Sequence, residues 1–226
     1  MGVHYSWFLV LGLFSWYLSQ RLLPDGYLLP GADPGWTTAT YWATGTVVAL
    51  LLFASVLVHE FAHSFVARAR GFPVEGITLF LLGGVSNLGR EPSNPRDEFV
   101  ISAVGPATSL LLSGLLGIVD LVSPGDATPF TAIIRSVWVT NLMMAVFNLL
   151  PAFPMDGGRV LRSVVWAITG SMATATKFAS RGGQVIGILL IALGVFEVLE
   201  GNVSAGVWSG FIGWFIFNAA TRIHRE

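Results

Sequence analysis

Six apolar stretches restrict this chain to one kind of fold. They cover residues 7–23, 42–66, 99–122, 133–150, 178–199 and 203–220. Each approaches the roughly 20 residues that a helix needs to cross a hydrocarbon core about 30 Å thick. Backbone in lipid must satisfy its own hydrogen bonds, and runs of this length do so as helices. Only 11% of the residues are charged against 54% hydrophobic, whereas soluble domains carry about 25% charged residues. No long polar interval separates the stretches. The expectation is one membrane-embedded domain over residues 1–226: an all-α polytopic membrane protein with about six transmembrane helices. The first stretch lacks a small-residue cleavage site before Gln20 and Arg21, so it reads as a retained helix rather than a signal peptide. Lys177, Arg181 and Gln184 interrupt the start of the fifth, which shortens its apolar part.

Counting bases gives the orientation. With a cytoplasmic N-terminus, Arg68, Arg70, Arg90, Arg96, Arg159, Arg162, Lys177, Arg181, Arg222 and Arg225 fall inside, and Arg21 and Arg135 outside. Positively charged residues favour the cytoplasmic side, so both termini are expected there, in a multi-pass protein of the cell membrane. A formal net charge of −1 offers no basic footprint for nucleic acid. The partner read from composition is the lipid bilayer.

Two connections carry their own signals. Pro24, Gly26, Pro30, Gly31, Pro34 and Gly35 mark an irregular loop after the first stretch. Residues 72–88 are too short to span, and Val74, Ile77, Thr78, Leu79 and Phe80, followed by Gly83-Gly84 and Val85, favour a short β-hairpin between the second and third helices. No internal repeat is evident, which argues against a transporter built from two matching halves.

The chemistry concentrates in His59-Glu60-Phe61-Ala62-His63. Positions i and i+4 share a helix face, so His59 and His63 can present ring nitrogens to one zinc ion, with Glu60 near enough to act on a bound water. Two histidines and a glutamate within an apolar helix are expensive to place in lipid, so they default to function. The alternative is a pair of histidines satisfying interhelical hydrogen bonds. The chain has no cysteine, so a metal site must use His, Asp or Glu, and a catalytic zinc usually has three protein ligands. Asp156 is the candidate third. Pro151 and Pro154 precede it and Gly157-Gly158 follow it. The prolines deny the fourth helix a regular continuation, and the glycines permit a tight reversal. Irregular backbone at membrane depth survives only around protein or a watery cavity. The alternative for Asp156 is an N-cap for the segment after Gly158.

HEFAH in the second stretch, joined to Asn148-Leu149-Leu150-Pro151-Ala152-Phe153-Pro154-Met155-Asp156-Gly157-Gly158-Arg159 after the fourth, closely resembles the site-2 protease family of intramembrane zinc metalloproteases. His4-Tyr5-Ser6-Trp7-Phe8, Leu82-Gly83-Gly84-Val85 and Ala103-Val104-Gly105-Pro106 extend the likeness over residues 3–162. The family's PDZ insertion and nucleotide-sensing module have no counterpart in this sequence, so the expectation is a minimal form or a longer protein cut after the sixth stretch. The resemblance implies that His59, His63 and Asp156 hold one Zn²⁺ per chain and that Glu60 is the general base. It further implies that Asn148 assists at the scissile carbonyl and that Gly83, Gly84 and Val85 help seat substrate. The implied substrates are membrane-anchored proteins, cleaved in regulated intramembrane proteolysis.

Elementary chemistry reaches the same roles. Zinc acidifies bound water and polarises a carbonyl, and Glu60 can shuttle the water proton to the leaving amine. Asn148 can donate to a developing oxyanion or bond a neighbouring helix. Gly83-Gly84 can be a plain turn. Gly105-Pro106 reads as a kink or as shaping the site. His4 and His224 read as solvent or interface residues. His63 lies five residues before Arg68, roughly 7.5 Å along a helix, which puts the zinc site toward the cytoplasmic side. Two other classes remain at this point, a divalent-metal transporter and a non-catalytic membrane scaffold. A transporter would spread relay ligands through the depth, and a scaffold would tolerate loss of Glu60.

Overall fold

A computed structural model of the chain describes residues 2–3, 6–23, 35–80, 83–88, 92–123 and 127–225. The Pro/Gly loop over residues 24–34, His4-Tyr5 and Leu82 lie outside them. The described elements are β1 (Gly2–Val3), α1 (Ser6–Tyr17), a π-helical turn (Leu18–Leu22), α2 (Thr38–Ala69), β2 (Val74–Phe80), β3 (Gly83–Leu88), α3 (Pro95–Val122), α4 (Pro129–Asn148), α5 (Asp156–Thr169), α6 (Met172–Leu199) and α7 (Val203–Arg225). The fold is mostly helical, and α2, α3, α4, α6 and α7 are long and apolar enough to cross a membrane. The first expected span is shorter, an apolar helical run over Phe8–Gln20 that passes from α1 into the π-helical turn.

Polarity is arranged for lipid. Phe65, Leu121, Ile168 and Leu199 are more than three-quarters exposed. Ser55, His59, His63, Ser109 and Asn141 are buried. Apolar surface facing out costs nothing in hydrocarbon, and polar side chains find partners only inside.

Helix ends follow local chemistry. The Thr37 hydroxyl accepts from the Thr40 amide at 3.2 Å and caps α2, and Ser171 does the same for α6 through Thr174, each satisfying an amide that the first turn leaves without a partner. Asn94 Oδ1 accepts from the Asp97 amide at 2.9 Å at the start of α3. Gly170 (φ +68°) closes α5 in the left-handed conformation that glycine adopts without strain.

The chain packs as two compact units, residues 1–91 with 104–145, and residues 92–103 with 146–226. In the first, Leu18, Val48, Ala49, Leu52 and Val137 form a core. A Cβ on Gly45 would overlap Ser19 Oγ, so the π-helical turn lies against bare α2 backbone. Asn141 of α4 donates to Ser55 Oγ of α2 at 2.9 Å, and Asp120 of α3 accepts from Arg135 Nε at 2.9 Å, Arg135 Nη2 at 3.0 Å and Trp138 Nε1 at 3.1 Å. The strands form a sheet in the order β1-β2-β3. β1 runs parallel to β2, while β2 and β3 are antiparallel with Thr78 opposite Val85, Leu79 opposite Gly84 and Phe80 opposite Gly83. Among the described residues, β3 is an edge of that sheet.

In the second unit, α6 and α7 approach closely because glycines face backbone. A Cβ on Gly187 would meet Gly213 O, and one on Gly194 would meet Gly206 O. Close approach of this kind is how helices associate where lipid gives no hydrophobic drive. Gly182 and Gly183 of α6 make room for the carbonyls of Pro151 and Phe153, and the Phe153 amide donates to Ala179 O at 3.4 Å. The proline-rich segment is thereby seated on α6.

Candidate active site

His59, Glu60 and His63 all sit on α2. Both imidazoles are buried, 4% and 8% exposed, within a predominantly apolar helix. Their Nε2 atoms are 3.2 Å apart. Two nitrogens held at 2.0–2.1 Å by one tetrahedral zinc are separated by about 3.3 Å, so the pair already has the spacing of two ligands on one ion. Neighbouring residues of α3 fit the same purpose. A Cβ on Gly105 would overlap the His63 ring and press on His59 Nε2, so only glycine leaves both nitrogens clear. His59 Nδ1 is 2.9 Å from the buried Ser109 Oγ, giving the ring the outer partner that metal-bound histidines have. Glu60 is half-buried beside them. The donor set and its cleared space fit a zinc ion.

Asp156 is half-buried and is the first residue of α5. The N-cap is Met155, in extended conformation with no side-chain cap bond, so Asp156 is not the cap that its spacing allowed. Nor are Gly157 and Gly158 a tight reversal: they form the first turn of α5, and neither has positive φ. Their missing side chains matter for another reason. A Cβ on Gly157 would strike the Leu149 carbonyl, and one on Gly158 would strike Ala152 O. The segment folds back under its own helix start, stitched by Ala152 N to Leu150 O at 2.7 Å and Met155 N to Ala152 O at 3.0 Å. The glycine pair thus fixes where Asp156 emerges. Six residues on, the buried Arg162 donates from Nε to Glu98 Oε1 at 2.6 Å and lies 5.3 Å over the Phe153 ring. Asn148, half-buried, is the last residue of α4. Gly83, Gly84 and Val85 begin β3.

Ser109, Ser55, Asn141 and the Glu98–Arg162 pair are not among the residues that the sequence motifs single out. The signal for Ser109 was available, because it lies four residues after Gly105 and therefore on the same helix face. Glu98 and Arg162 are 64 residues apart, and nothing local marks them as partners.

The sequence pattern of peptidase family M50 matches this chain over residues 47–133 and 114–193. The chain belongs to peptidase family M50. Among its relatives, "Putative zinc metalloprotease Rip3" of Mycobacterium tuberculosis is 43% identical over 97% of this chain and 55% of that protein. "Zinc metalloprotease MJ0392" of Methanocaldococcus jannaschii is 34% identical over 70% of this chain and 44% of that protein. The solved "Site-2 Protease from Methanocaldococcus jannaschii" superposes with a TM-score of 0.62 at 26% identity, covering 99% of this chain and 90% of that one. The chain spans about half the length of the curated relatives it matches first. Five apolar helices and M50 membership together make it a multi-pass membrane protein.

Proposed function

We propose that this M50 chain is an intramembrane zinc metalloprotease that hydrolyses peptide bonds in or near the transmembrane segments of membrane-anchored proteins. The observation that carries the reading is the buried pair of Nε2 atoms, 3.2 Å apart on an apolar helix. His59, His63 and Asp156, a group of residue types that could hold a metal ion, are the proposed ligands of one zinc. Bound there, zinc would supply a Lewis acid and an acidified water. Glu60 takes the proton of the attacking water and passes it to the leaving amine. Asn148 donates to the oxygen on which charge develops. The proposed arrangement is six spans, with α1 and the π-helical turn as the first, both termini cytoplasmic and the zinc site toward that side, in keeping with the distribution of basic residues.

The protein purified in detergent is expected to carry about one zinc per chain and to cleave a single-span substrate, with cleavage lost on chelation and restored by zinc. Asp156→Ala should lose both metal and turnover. A metal-free wild type that still cleaves would overturn the reading, and a fully metallated, active Asp156→Ala would remove Asp156 from the ligand set.

Seating of substrate is proposed at β3. A helical peptide bond is shielded by its own hydrogen bonds, and unwinding it in lipid leaves backbone groups unpaired unless a strand edge pairs with them. Outward and inward amides alternate along a strand, so one of Gly83→Pro and Gly84→Pro removes an outward donor. That variant should cleave a stable helical substrate more slowly with zinc content unchanged, and helix-breaking residues beside the scissile bond should restore part of the rate. Wild-type rates from both variants on both substrates would exclude this edge.

A further inference from the structure

A histidine that binds metal through Nε2 must carry its proton on Nδ1, and something must accept that proton. His59 has two neighbours placed to decide the matter. Nε2 faces His63 Nε2 at 3.2 Å, and Nδ1 faces Ser109 Oγ at 2.9 Å. With the proton on Nε2, His59 donates to His63, and the Ser109 hydroxyl must turn to donate to Nδ1. With the proton on Nδ1, His59 donates to Ser109 Oγ, and its Nε2 lone pair faces His63 Nε2, where a cation held by both rings would sit. A hydroxyl serves either arrangement by rotating, because it is both donor and acceptor. A carboxylate or a backbone carbonyl would only accept. Ser109 is itself fully buried, so water does not reach it as a substitute. Its distance is set by Gly105, one turn earlier on α3, whose missing side chain lets that helix lie directly against both imidazoles.

We propose that Ser109 is a positioning residue for the metal centre: its hydroxyl satisfies His59 Nδ1 in both tautomers, so that His59 turns its Nε2 lone pair to zinc without any movement of the helices. The proposal rests on the zinc reading above and adds a residue to it. Ser109 touches neither metal nor substrate and acts through His59 alone.

The test uses the full chain in detergent, zinc affinity by chelator competition, and nitrogen-15 spectra of the histidine rings. In the zinc-loaded protein His59 should carry its proton on Nδ1, donated to Ser109 Oγ. Ser109→Ala should remain folded without metal, with a modest loss of melting temperature, and weaken zinc binding by about 10- to 100-fold, the usual effect of losing a ligand's outer partner. Ser109→Thr, which keeps a hydroxyl, should recover most of the affinity. Ser109→Ala with wild-type zinc affinity, or an Nδ1 proton signal unaltered by the substitution, would overturn the proposal. If wild type and both variants alike fail to bind zinc, the zinc reading itself falls, and this proposal with it.

Discussion

Glu60→Gln is expected to keep its zinc and to lose between about 100- and 10,000-fold in turnover, the range that a positioned general base contributes. Glu60 adjoins His59 in sequence but is not among the proposed ligands, so an amide of nearly the same shape leaves the metal-binding nitrogens alone. What it removes is the group that accepts a proton. Single-turnover cleavage of a single-span substrate, alongside zinc analysis of the same preparation, separates the two roles. His59→Ala should lose metal and turnover together. A Glu60→Gln protein that cleaves at the wild-type rate would refute general-base chemistry at this position, and one that loses its zinc would make Glu60 a ligand.

The second large effect lies at the Glu98–Arg162 pair. Both side chains are buried, Glu98 completely, and Arg162 donates to Glu98 Oε1 through Nε at 2.6 Å and also through Nη2. Removing one member of a buried ion pair strands the other charge and costs about 3–5 kcal/mol, whereas replacing both by apolar residues of similar volume is often neutral. Arg162→Ala should therefore unfold far more readily than wild type in detergent, while Glu98→Leu combined with Arg162→Met should recover most of the stability. Arg162 also covers the Phe153 ring, which belongs to the segment leading to Asp156, so the single variant should lose zinc affinity as well. Arg162→Ala with less than about 1 kcal/mol of lost stability would show that Glu98 finds another partner.

Much of the membrane architecture could be read from hydropathy because five of the six apolar stretches coincide with long helices. Their ends extended further than apolar character alone marked: α3 begins at Pro95 rather than near residue 99, and α7 continues through Arg222 to Arg225, since helices project beyond the hydrocarbon on polar turns. α5 was legible only as a helix that Asp156 would cap. Val160, Leu161, Val164, Val165 and Ile168 fall at helical spacing, but the helix has 14 residues and buries Gly157, Gly158, Arg162 and Ser163, so it is too short to stand out as an apolar span. The histidine pair was legible since its spacing alone defines a shared face. Ser109 carried only the hint of sharing a helix face with Gly105, and it is the packing that Gly105 permits that brings it to His59. The glycines after Asp156 serve this fold by their lack of bulk, not by the freedom of φ that a tight reversal would need.

The small residues inside and large ones outside also set which inherited changes this protein tolerates. In a water-soluble protein the damaging core substitutions are mostly truncations, since they empty space that apolar side chains had filled. Here Gly105, Gly157, Gly158, Gly183, Gly187 and Gly194 each stand where one added carbon meets a ring or a carbonyl, while Phe65, Leu121 and Leu199 project from the surface. Its sensitivity is therefore reversed. A glycine-to-alanine change at an inward position is a severe lesion, and exchange among leucine, isoleucine, valine and phenylalanine on the outer face is nearly silent. Variation among descendants of this sequence should accumulate in its bulkiest residues and spare its smallest.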